Sequence, residues 1–151
     1  MDDDALPSPE WLNELCGEGI AETRSSYDKA DSNESGFKRL RVYQASLDLA
    51  EEVYRLTRPF PREELFGITK QIREAVVSAP LNIAEGWGRN GKVEFARFCD
   101  YARASLHEVD AAFDVSLRLE YVQKGDLTEM YRLLNGVSAL LLKLAQTLRT
   151  K

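Results

Sequence analysis

The chain is poor in the residues that staple, ligate or attack. Its 151 residues hold two cysteines, Cys16 and Cys99, and one histidine, His107. Two distant cysteines do not make a disulfide framework, and a chain of this length buries roughly 70% of its unfolded surface without one. A di-metal carboxylate centre, the usual catalytic use of a helical bundle, takes a Glu-x-x-His from each of two helices. One histidine cannot supply it, and the residue three before His107 is Ala104. Cys99 has no histidine at helical spacing, and no Gly-x-x-x-x-Gly-Lys phosphate loop exists. Nothing in the sequence calls for a cofactor or a metal. Long apolar runs are missing as well. The longest, Ala139 to Leu142, falls far short of the ~18 residues of a membrane span. The acidic start, Met1-Asp2-Asp3-Asp4, is the reverse of a secretory signal. The cytoplasm is the expected location.

Charge is present but unevenly spread. Residues 1–36 carry ten acidic and two basic side chains, while residues 37–151 carry fifteen acidic and eighteen basic ones. The net −5 is therefore an extension of −8 joined to a body of +3. Residues 1–36 are expected to form a mostly flexible acidic extension, and residues 37–151 the folded domain. Within the extension, Ser8 caps a short helix near residues 9–16, with Pro9 at its first position. Trp11, Leu12 and Leu15 share one of its faces.

The body reads as four helices. The first runs from about Lys38 to Arg58 and is broken by Pro59-Phe60-Pro61. The second begins near Pro61, bends near Pro80, and ends at Gly86 and Gly88. The third spans Lys92 to Tyr121, with an inward row of Phe95, Phe98, Ala102, Leu106, Val109, Phe113 and Leu117. Gly125 and Asp126 open the fourth, where Asp126 and Glu129 make a capping-box pattern. Its row is Leu127, Met130, Leu134, Val137, Leu141, Leu144 and Leu148. Short connections make neighbours antiparallel, so the fold class is all-α: an up-down-up-down four-helix bundle.

The first helix carries two apolar stripes, one through Leu40, Tyr43, Leu47, Ala50 and Tyr54, the other through Val42, Leu49, Val53 and Leu56. Together they span about half the circumference, more than the ~100° that one core requires. Exposed apolar surface of that extent marks an interface, so the chain is expected to associate with itself, with Val42, Leu49, Val53 and Leu56 carrying the contact. Two polar groupings stand out besides. Asn82, Glu85 and Arg89, around Gly86, share a side of the second helix, where they either satisfy backbone freed by Pro80 or form a recognition site. Arg39 and Arg41 on the first helix, with Arg89 and Lys92 at the second turn, are cations suited to phosphate.

The segments Val42-Tyr43-Gln44-Ala45-Ser46, Val77-Ser78-Ala79-Pro80-Leu81-Asn82-Ile83-Ala84-Glu85-Gly86-Trp87-Gly88-Arg89 and Ala104-Ser105-Leu106-His107-Glu108-Val109 resemble a bacterial family. Its members are four-helix-bundle proteins first noticed in intervening sequences of large-subunit ribosomal RNA genes, and the accessory variability determinant of diversity-generating retroelements is a relative. The resemblance implies a homopentamer around a central channel and, through the retroelement relative, binding of nucleic acid and of a nucleic-acid enzyme. The expected function is accordingly a non-enzymatic, homo-oligomeric scaffold or binding protein, an accessory factor for nucleic acid, with no membrane partner. The rival expectation is an enzyme whose active site lies at subunit boundaries around Asn82, Glu85 and Arg89, with Glu108 or Asp110 as further carboxylates.

Overall fold

The structure, a computed structural model, describes residues 36–150. The acidic extension and its short helix near residues 9–16 lie outside the described residues. Among those described, every regular element is helical. Four α-helices follow in order: α1 (Arg41–Thr57), α2 (Ile68–Gly88), α3 (Lys92–Arg118) and α4 (Thr128–Thr150). Each packs on its sequence neighbours, and α4 closes back on α1. No helix is long and apolar enough to cross a membrane among the described residues.

The helix ends depart from the sequence expectations for local reasons. A 3-10 turn, Gly36–Arg39, precedes α1, tied to it by Gln44 Nε2, which donates to the Lys38 carbonyl at 2.7 Å. The second helix starts at Ile68 rather than near Pro61. A separate 3-10 turn, Arg62–Glu64, follows Pro61, and Glu64 Oε2 accepts from the Ile68 amide at 3.1 Å. Its carboxylate thus serves one of the orphan amides of the new helix. α3 stops at Arg118 in a Schellman arrangement. The Tyr121 amide donates to the Ser116 carbonyl and the Glu120 amide to that of Leu117, with Glu120 at φ 62°. At the start of the last segment the capping box joins Gln123 to Asp126 across a 3-10 turn, Lys124–Leu127. Glu129, expected to complete that box, instead pairs with Arg132.

The core follows the periodicity. The rows predicted for α3 and α4 are buried, with Leu117 half-buried. α2 and α3 share the most extensive contact, made possible by small residues. Ala75, Ala79, Gly86, Ala96 and Ala102 are all buried, so the two backbones approach closely. Gly86 does not end its helix as expected; it lies within α2, where a Cβ would stand 2.7 Å from Phe98 Cβ and 2.8 Å from Phe95 Cδ2. Pro80 is also buried inside α2, which continues through it to Gly88.

Candidate functional site

The decisive feature is how α1 divides its two stripes. Val42, Leu49, Val53 and Leu56 face inward, with Leu49 and Val53 both 0% exposed. They form the bundle's own core, and the assignment of these four to a contact between copies is corrected: a residue sealed by its own chain has no surface to offer. The other stripe faces outward. Leu47 and Tyr54 are each 38% exposed, with Tyr43 and Ala50 half-buried beside them. Arg73 of α2 fixes the register, its guanidinium 4.6 Å from the Tyr54 ring centroid and its Nε donating to Thr57 Oγ1 at 2.9 Å. Counting along the antiparallel pair from that contact brings Val77, Leu81 and Ala84 alongside Ala50, Leu47 and Tyr43. Leu81 is itself 62% exposed. The result is an apolar face shared by α1 and α2.

A second outward row runs down α3. Val93, Tyr101, Val115 and Leu119 are exposed large apolar side chains, and Ala104 and Ala111 are exposed between them. These positions lie on the side opposite the core row, with the charged Arg97 and Glu108 completing the helical spacing between them. α1 and α3 stand diagonally across the bundle, since each contacts α2 and α4. The two outward faces therefore look in different directions.

The Asn82–Arg89 group has structural partners. Asn82 Nδ2 donates to the Ser78 carbonyl at 2.7 Å, and Ser78 Oγ bonds both the Ala75 carbonyl and Ser105 Oγ of α3. This hydroxyl pair bridges the tightest seam of the bundle. Arg89 Nη2 holds Glu85 Oε1 at 2.6 Å while its guanidinium lies over the Phe98 ring, 5.1 Å from the centroid. The carboxylates imagined beside them do not converge. Glu108 accepts from Gln71. Asp110 lies on the flank of α3 that meets α4, where, after burial, it helps push the Tyr131 hydroxyl up. Among the described residues no three His, Cys, Asp or Glu side chains are grouped to hold a metal, and His107 is exposed on α3.

The four phosphate-reaching candidates do come together at one end of the bundle, through antiparallel connectivity. Arg39 and Arg41 stand at the start of α1, Arg89 just after α2 and Lys92 at the start of α3. Arg39 and Arg89 are exposed; Arg41 and Lys92 are half-buried. At the opposite flank lies a groove between α1 and α4 of about 400 Å³, lined by Ala45, Leu133, Gly136, Val137 and Leu140 and rimmed by Glu52–Arg55 and Glu129–Arg132 pairs. Each of these arginines grips its glutamate with two nitrogens. The hydrogen bond from Arg132 holds Glu129 below the usual carboxylate range. Periodicity did not disclose this groove, although Gly136 in mid-helix, with no packing neighbour for a Cβ, was its signal.

These elements define an all-helical up-down-up-down bundle with two outward apolar faces and one basic end. The family model described as 23S rRNA-intervening sequence protein matches residues 38–143, and the chain belongs to that family. Its structure is similar to the crystal structure of a protein with unknown function from the S23 ribosomal protein family of Bacteroides thetaiotaomicron VPI-5482. The two share 20% identity and a TM-score of 0.61, over 69% of this chain and 97% of that one; a likeness at that identity concerns the fold. No curated protein matches the chain.

Proposed function

We propose that the protein is a cytoplasmic, non-enzymatic scaffold that assembles into a closed ring of identical bundles, five in number as the sequence resemblance implies. The observation that carries this reading is the pair of unlike apolar faces, Leu47–Tyr54–Leu81 on α1 and α2 and Tyr101–Val115 on α3. A two-fold dimer uses one patch twice, whereas a ring needs two different, complementary patches, one per neighbour. The basic end, repeated around such a ring, becomes a sizeable field for phosphate. That supports a role as an accessory factor for nucleic acid or for an enzyme that acts on it.

Light scattering on paired variants tests the ring. Leu47→Glu with Tyr54→Glu should give monomers, and so should Tyr101→Glu with Val115→Glu. Mixing the two should restore a dimer, because one complementary pair of faces survives. A wild-type monomer at micromolar concentration refutes assembly. Two monomeric variants that stay monomeric when mixed refute the head-to-tail geometry.

A further inference from the structure

One cation stands inside the apolar face of α1 and α2. Arg73 is half-buried there, laid over the Tyr54 ring and anchored by its Nε to the Thr57 hydroxyl. Neither contact takes up an Nη hydrogen. Among the described residues no carboxylate pairs with Arg73, although Arg55, Arg89, Arg97, Arg132 and Arg149 each hold one. Stacking on tyrosine holds the planar fork in place, so little freedom is left to lose when a carboxylate arrives. The outward row of α3 offers the counterpart. Midway between Tyr101 and Val115, seven residues from each and so on the same side of the helix, stands Glu108. It is exposed, and its hold on its own chain is a long contact from Gln71 Nε2 at 3.3 Å. Arg97, the other charge of that row, is already bound to Glu94 at 3.2 Å.

We propose that Arg73 of one copy pairs with Glu108 of the neighbouring copy, and that this ion pair sets the register of the ring. The inference rests on the head-to-tail assembly proposed above and names the contact at its centre. Height decides the match. A closed ring turns each copy about its axis without sliding it along that axis. With the axis along the bundles, a residue therefore meets neighbours of its own height. Within the bundle, Ser78 is level with Ser105 and Gly86 with Phe98. Counted from these contacts at ~1.5 Å per residue, Arg73 lies within a turn of Glu108, and Leu81 within a turn of Tyr101. Leu47 stands beside Leu81, so Tyr101 of the neighbouring copy falls on that apolar pair while Glu108 falls on Arg73. One superposition seats the ring and pairs the charges. Any other register presses the guanidinium against apolar surface, where desolvation costs free energy with no carboxylate in return. Enclosed by Tyr54, Val77 and Tyr101, the pair is screened less than the exposed pairs elsewhere on the bundle.

Light scattering on the full chain, over a dilution series, tests the pair. Glu108→Arg should raise the concentration at which half the ring has dissociated by about 30-fold or more, and Arg73→Glu should do the same. The exchanged protein, Arg73→Glu with Glu108→Arg, should assemble again, because every contact regains opposite charges. Circular dichroism checks that each variant is folded. Arg73→Glu also gives up Thr57 and Tyr54. If it loses helicity, Arg73→Gln and Glu108→Gln, singly and together, form a double-mutant cycle in which the combined loss should fall short of the two single losses added. Single reversals that leave assembly as strong as wild type, a folded exchange that restores nothing, or losses that add in the cycle overturn the pair while the ring stands. A wild-type protein that is monomeric at micromolar concentration refutes the ring itself, and the pair with it.

Discussion

Gly86 and Phe98 meet at the closest point of the α2–α3 seam, where a Cβ on the glycine would lie 2.7 Å from the phenylalanine Cβ. Phe98 cannot swing away, because its Cβ is fixed to the helix. Gly86→Ala should therefore destabilise the protein by about 1–3 kcal/mol through overpacking. Gly136→Ala is the natural contrast, since nothing lies within 4 Å of a Cβ there. It should stabilise by about 1 kcal/mol, the helix-interior difference between the two residues. Urea denaturation of both variants checks the opposite signs.

Glu120 occupies the left-handed position that ends α3, at φ 62°, a place where glycine carries no Cβ penalty. Glu120→Gly should raise stability by about 0.5–1 kcal/mol, read as a higher midpoint in thermal unfolding. A lower midpoint would mean that the glutamate side chain contributes something its backbone strain hides.

Cys99 links stability to alkaline pH. Its folded pKa, about 12, stands above the ordinary value of 9.0, so the folded state binds the proton more tightly. The contribution is fully present below pH 9 and is lost as pH rises from there towards 12. Cys99→Ala should flatten that part of the alkaline stability profile. Below pH 9 the native thiol should react with a disulfide reagent only as fast as the bundle opens.

Any nucleic-acid binding should be weak and independent of sequence. The groups offered, Arg39, Arg41, Arg89 and Lys92, position phosphates without reading bases. Affinity for a single strand should fall with salt at a log–log slope of about −0.7 per phosphate contacted. Removing the four charges should reduce both affinity and slope. Binding that ignores salt, measured by fluorescence anisotropy, would exclude this mechanism.

Much of this was legible in the sequence, and the exceptions share a cause. The spacing of Phe95 to Leu117 and of Leu127 to Leu148 is that of buried rows, and the rows are where periodicity put them. In α1 the period identified two stripes but could not rank them. Val42–Leu56 and Tyr43–Tyr54 are about equally apolar, and only the positions of α2 and α4 decide which is inside. Val53→Glu should consequently unfold the bundle, where Leu47→Glu should only separate copies; circular dichroism distinguishes the two. Gly86 was read as a stop because glycine usually is one, yet here it is a contact, a distinction that depends on Phe98, twelve residues further along the chain and on another helix.

The groove between α1 and α4 has a consequence for how the molecule comes apart. Those helices are the first and last of the bundle, so their meeting closes the longest loop in the chain, an entropic cost the α2–α3 hairpin never bears. Their seam also carries a groove that reaches Gly136, whereas α2 and α3 are joined by a three-residue turn and interlocked by Ser78 and Ser105. Of the two seams that α1 makes, the one that closes the longer loop should open first. Amides along the α1–α4 seam should exchange through partial opening, while those of α2 and α3 wait for the whole fold to dissolve.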